Sequence, residues 1–153
     1  MIGIVPSQAI ELAKRFEGFE RRVKLKGRIV AVPYLCPASF WTIGYGHLTT
    51  KDHPPIDAQE GEWLLREDML KAAKQTLALC PGLAREPERR FAAIVDFTFN
   101  LGAGRLKAST LRKRVNAKDG VGAANELRKW VWGGGRKLPG LILRREAERR
   151  LLI

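Results

Sequence analysis

The stretch Pro33–His47, PYLCPASFWTIGYGH, decides how the rest of the chain is read. FWTIGYG is rich in aromatic and β-branched residues and reads as a strand ending in a glycine turn. CPAS, before it, reads as a turn. Upstream, RVKLKGRIVAV alternates at Val23, Lys24, Leu25 and Lys26, with Gly27 as a turn and Ile29–Val32 as a further strand. Two or three short antiparallel strands are the simplest arrangement. One cysteine sits in the middle of this apolar stretch, with five residues between Cys36 and Thr42.

Outward from the strands the chain is helical. Pro6-Ser7 opens a first helix, with Ser7 as its N-cap, an apolar face at Ala9, Leu12, Ala13 and Phe16, and Gly18 as its stop. Glu17 then falls on the last turn, at the negative end of the helix dipole, where an ionised carboxylate is disfavoured. The common reading is an exposed surface glutamate; the other is an acid kept there because its proton is useful. Asp57 with Glu60 three residues later starts a long second helix, which ends at CPG. PERRFAAIVDFTFNLG is the most apolar helix and the expected core of the helical part. STLRKRV and DGVGAANELRKWV are shorter helices, GGGRKLPG is a loop, and LILRREAERRLL is the last helix. Helix, small sheet, helix bundle is an α+β order with segregated parts. The tryptophans Trp63, Trp130 and Trp132 are expected to pack rather than to stack on a ligand.

The chain has 153 residues, which suits one domain over 1–153 with its β-rich part at about 20–50. No run of about 18 apolar residues is present, so no transmembrane helix is expected. The N-terminus MIGIVPSQ has neither a basic n-region nor a long apolar h-region, so no export signal is expected. With 28 Lys+Arg against 16 Asp+Glu the net charge is +12, a field that attracts polyanions without choosing among them. No zinc-finger or RNA-binding signature accompanies it, so no specific nucleic-acid partner is expected. Cys36 and Cys80 form no CxxC pair, so no metal and no cofactor is expected; nothing in their spacing supports a disulfide.

FEGF at 16–19, YLCPASFWTIGYGHLT, FTFNLG, STLRK and GLILRREAERRLL, in that order, resemble the phage-type lysozymes, the endolysin muramidases of glycoside hydrolase family 24. The resemblance covers nearly the whole chain. It implies a lysozyme-like fold, in which a small β-hairpin lobe and a larger helical lobe flank an active-site cleft. It also implies a peptidoglycan hydrolase without a separate wall-binding domain, monomeric, held in the host cytoplasm until the membrane is permeabilised. The family's catalytic Glu, Asp or Cys, and Thr fall on Glu17, Cys36 and Thr42. The segment between Glu17 and Cys36 holds eighteen residues here, about ten more than is usual in the family. The excess is the basic hairpin at 21–30, which would attract an anionic outer surface or membrane. His47 matches a histidine paired with an acid on the next helix, here Asp68. Leu48, Phe99 and Thr110 match positions that line the sugar cleft; for Phe99, plain core packing is an equal alternative.

Glycosidic cleavage needs an acid to protonate the leaving oxygen and a second group to activate water or stabilise an oxocarbenium-like transition state. Glu17 has the right chemistry for the first. Cys36 and Thr42 would flank a water, for which a thiolate is a far better base than a thiol. Without the resemblance, Cys36 would read as a small buried filler. Two rivals stay open: a lytic transglycosylase, which uses the sugar's own hydroxyl in place of water, and a cationic membrane-active protein acting through the hairpin and the LILRREAERRLL helix.

Overall fold

The computed structural model describes residues 5–153. The first four residues of MIGIVPSQ, part of the stretch read for an export signal, lie outside the described residues. Two compact units emerge: Ala13–Asp68, and a second that joins the residues up to Leu12 to Met69–Ile153.

The first helix, α1, spans Ser7–Glu17. Ser7 is its first residue rather than its cap: the Pro6 carbonyl accepts from Ala9 N–H at 3.0 Å. Strands β1 (Arg22–Leu25) and β2 (Arg28–Ala31) pair antiparallel, Val23 opposite Val30 and Lys24 opposite Ile29. Their turn, Lys26-Gly27, has both φ angles positive, the conformation whose twist matches paired strands. Pro33, which lacks an N–H for the ladder, separates this hairpin from a second sheet. That sheet is β3 (Tyr34–Leu35), β4 (Trp41–Ile43) and β5 (His47–Leu48), in the order β3-β4-β5. The region therefore holds five short strands in two sheets, more than the alternation alone suggested. Ala31, Ile43 and Ile56 form the unit's buried core, with Phe19 and Leu64 packed on it. Ala31 and Ile56 exchange backbone hydrogen bonds of 2.7 and 3.0 Å, which tie the hairpin to the loop before α2 (Ala58–Leu79). Asp57 caps α2 by accepting from Glu60 N–H at 2.8 Å.

The other unit is built on α3 (Glu88–Leu101), buried from Phe91 to Thr98. Between it and the last helix come α4 (Ala103–Lys107), α5 (Thr110–Asn116) and α6 (Gly120–Leu127). GGGRKLPG is not simply a loop. Trp132–Gly133 (β6) pairs with Arg136–Lys137 (β7) across Gly134-Gly135, both with positive φ, so glycine supplies the tight turn. The last helix, α7 (Pro139–Leu152), buries three charged side chains, Arg144, Arg145 and Glu148, beside the apolar Leu152. The Arg144 guanidinium grips the buried Asp96 of α3 with two hydrogen bonds of 2.9 and 2.8 Å. Arg145 bonds Glu148 at 2.7 Å and Asn100 at 2.8 Å. Trp130 meets Phe97 edge-on at 5.4 Å, but Trp63 and Trp132 are 62% and 57% exposed, so only Trp130 packs as expected.

Removing one partner of a buried ion pair leaves the other charge uncompensated, at a cost of about 3–5 kcal/mol. Asp96→Ala should therefore lower stability by about that much, read as a loss of Tm and of denaturation midpoint. A change below ~1 kcal/mol would show that the pair contributes nothing.

Candidate active site

Glu17 is the last residue of α1, and Gly18 at φ +69° ends the helix in the left-handed conformation. The chain after it runs back onto the β3-β4-β5 unit. Glu20 N–H donates to the Gly44 carbonyl at 3.4 Å, and the Phe19 ring lies 5.3 Å from that of Tyr45. Phe19 also lies so close to Gly61 that a Cβ there would meet the ring at 2.5 Å. These contacts bring the Glu17 carboxylate against Gly46, where a Cβ would stand 3.2 Å from Glu17 Oε2. Glycine there leaves room for the acid and supplies φ +81°.

Across the sheet, Tyr34, Thr42 and Leu48 are in register, so their side chains share one face. Thr42 is buried and its hydroxyl donates to the Phe40 carbonyl at 3.0 Å. The same hydroxyl is near enough to the Cys36 sulfur to help lower its thiol. Cys36 is partly exposed in the turn between β3 and β4. Backbone hydrogen bonding to Phe40 holds its thiol below the usual value, helped by Ala38, Thr42 and its own backbone. The Tyr34 phenol is pushed up, first by burial and then by the negative charges of Glu20, Glu17 and Cys36. Tyr34 thus lies within electrostatic reach of both Glu17 and Cys36, as a protonated hydrogen-bond donor. Arg21 stands 5.6 Å over its ring.

His47 belongs to the opposite face of the sheet, paired with the buried Ile43. Its Nδ1 is 2.8 Å from Asp68 Oδ2. Leu48 is 65% exposed beside Thr42. Phe99 and Thr110 lie in the other compact unit. Phe99 is half-buried under the Arg144 guanidinium at 5.9 Å, and Thr110 is exposed at the start of α5. Among the described residues no three His, Cys, Asp or Glu side chains gather to hold a metal ion. Both cysteines are free thiols, and burial pushes Cys80 up to about 11.

Sequence reasoning missed Tyr34 and Gly46. Counting back from Thr42 across the CPAS turn would have found Tyr34. Gly46 is a contact that only folding makes.

Residues 14–148 match the family model described as phage lysozyme. The endolysin of Bacillus phage B103 is 38% identical over 150 residues, which are 96% of this chain and 53% of that protein. This chain therefore spans about half the length of that relative. The endolysin of Acyrthosiphon pisum secondary endosymbiont phage 1 is 36% identical over 154 residues, 96% of each chain. Among solved structures, the muramidase domain of SpmX from Asticaccaulis excentricus superposes with a TM-score of 0.79 at 28% identity, covering 97% of both chains.

The two thiols should react differently. Iodoacetamide at neutral pH should alkylate Cys36 and spare Cys80 until the protein is unfolded. The Cys36 rate should level off at a lower pH than the ~8.5 of a free cysteine. Peptide mass mapping across a pH series reads both; equal labelling of the two would contradict the geometry.

Proposed function

The chain belongs to the phage lysozyme family, and we propose that it is an endolysin that hydrolyses bacterial peptidoglycan. The bond cut is the β-1,4 link between N-acetylmuramic acid and N-acetylglucosamine, as in a lysozyme-type muramidase. The observation that carries this reading is the acid at the end of α1 set against Gly46, with Tyr34 in electrostatic reach of both Glu17 and Cys36.

Glu17 acts as the general acid and gives its proton to the leaving glycosidic oxygen. Cys36 and Thr42 hold the attacking water. A thiol held low by backbone hydrogen bonding offers a larger thiolate fraction as base, and the Thr42 hydroxyl orients the water. Leu48, beside Thr42, supplies an apolar surface for a sugar ring; Phe99 and Thr110 are further sugar contacts on the strength of the family resemblance. His47, on the far face of the sheet and held by Asp68, keeps the hairpin in shape and takes no part in cleavage.

The protein works as a monomer, made in the bacterial cytoplasm and reaching the wall when the membrane is opened. Among the described residues no helix is long and apolar enough to cross a membrane. The cations Arg21, Arg22, Lys24, Lys26 and Arg28 draw the enzyme toward anionic outer surfaces, an attraction that salt screens over ~8–10 Å.

Muropeptide mass spectrometry tests the reaction. Products should end in a reducing sugar, since water is the acceptor, and Glu17→Gln should lose ~10²–10⁴-fold or more of the activity with its melting unchanged. A folded, fully active Glu17→Gln protein, or 1,6-anhydro products, would overturn the mechanism. The thiol is tested separately. Cys36→Ala should cost about tenfold or more in turnover but no more than ~1–2 kcal/mol in stability, and Cys36→Asp should retain substantial activity. An active alanine variant beside an unstable aspartate variant would instead make Cys36 a packing residue.

A further inference from the structure

The hairpin that lengthens the Glu17–Cys36 segment does more than carry charge. Between it and the start of α2 lies a hollow of about 220 Å³. Leu25, Val30 and Pro55 give it apolar walls. Its rim carries four charged side chains. Arg28 and Asp57 neutralise each other at 2.6 Å. Lys26 and Glu60 also line the hollow, and among the described residues neither has an ion-pair partner. An acid in the first turn of a helix suits the helix dipole, which accounts for Glu60 alone. It does not account for an ammonium at the hairpin tip around the same open space.

One free cation and one free anion around a small apolar-walled hollow complement a zwitterion on a short aliphatic stem. Drug-sized ligands need ~300–1,000 Å³; 220 Å³ suits a single amino-acid-sized group. Resting on the peptidoglycan reading above, we infer that this hollow binds the side chain of a diamino diacid in the peptide attached to the glycan. The carboxylate at the end of that side chain meets Lys26, the ammonium meets Glu60, and the methylenes lie on Leu25 and Val30. Val30 is four residues from Tyr34, so their Cα atoms are at most ~14 Å apart; a three-residue peptide extends ~10 Å and the side chain of its last residue adds ~5 Å, so the two lengths match. A lysine at the same place in the peptide carries the ammonium without the carboxylate and satisfies only half of the pair. The hairpin would then select wall chemistry as well as attract the wall.

The test uses the whole protein and two free tripeptides, L-Ala-γ-D-Glu-meso-diaminopimelate and the same peptide ending in L-lysine. Titration followed by NMR should shift the amides of Leu25, Lys26 and Glu60 with the first peptide, and bind the second several-fold more weakly. Exposed ion pairs contribute modestly, so Lys26→Gln and Glu60→Gln should each weaken the diaminopimelate peptide about two- to fivefold. The same variants should raise KM on diaminopimelate-containing peptidoglycan relative to lysine-containing peptidoglycan, with kcat held. Equal binding of the two peptides, or shifts confined to other surfaces, would overturn the inference. Selective binding in a protein that cleaves no peptidoglycan would overturn the activity reading and leave this site standing. Cleavage without any selectivity would do the reverse.

Discussion

The Glu17 carboxylate lies close against the sheet, at a residue that has no side chain. That residue is Gly46, and the positive φ values of Gly18, Gly44 and Gly46 let the chain leave the helix and turn back within a few residues. A Cβ at Gly46 would press on the acid, and one at Gly61 would strike the Phe19 ring that anchors the return. The steric freedom of glycine thus sets where the Glu17 carboxylate stands relative to Tyr34, Thr42 and Cys36. The residues that do the proposed chemistry are ordinary; the glycines around them make the arrangement.

The helical unit meets a different constraint, the burial of charge. Asp96, Arg144, Arg145 and Glu148 are all nearly inaccessible to water. Taking such groups out of water is costly, and the cost is offset only where geometry is good and the hydrogen bonds are made. The Asp96–Arg144 contact meets that condition with two hydrogen bonds, whereas Arg145 bonds Glu148 and Asn100 but leaves its own Nε and Glu148 Oε2 buried without a hydrogen-bond partner among the described residues. Burial, then the neighbouring Asp96 charge, push the Glu148 carboxyl well up. The arginines of LILRREAERRLL that looked available for a membrane are therefore partly internal, and the case for a purely cationic, non-catalytic protein loses one of its two supports.

Much of this was legible in the residues. Helix bounds followed from Asp57 with Glu60, from CPG and from the glycine after FNL, because capping chemistry is local. The β1–β2 turn was legible because Gly27 and the flanking alternation are short-range signals. The β6–β7 hairpin escaped because two-residue strands leave almost no periodicity to read. Trp63 and Trp132 escaped because an aromatic residue carries the same letter whether it fills a core or faces water.

By itself the sequence determined the residue types, their order and the local elements: an acid at a helix end, a cysteine in a strand turn, a threonine on the following strand. Only the tertiary structure decided which side chains meet. Strand register put Tyr34 beside Thr42 and sent His47 to the other face, since a shift of one residue would exchange the faces. Backbone hydrogen bonds around the CPAS turn set the character of the Cys36 thiol. The hollow under the hairpin arises because Ala31 and Ile56 pair across a long stretch of chain. Such contacts depend on close packing between segments distant in sequence, which no local pattern encodes.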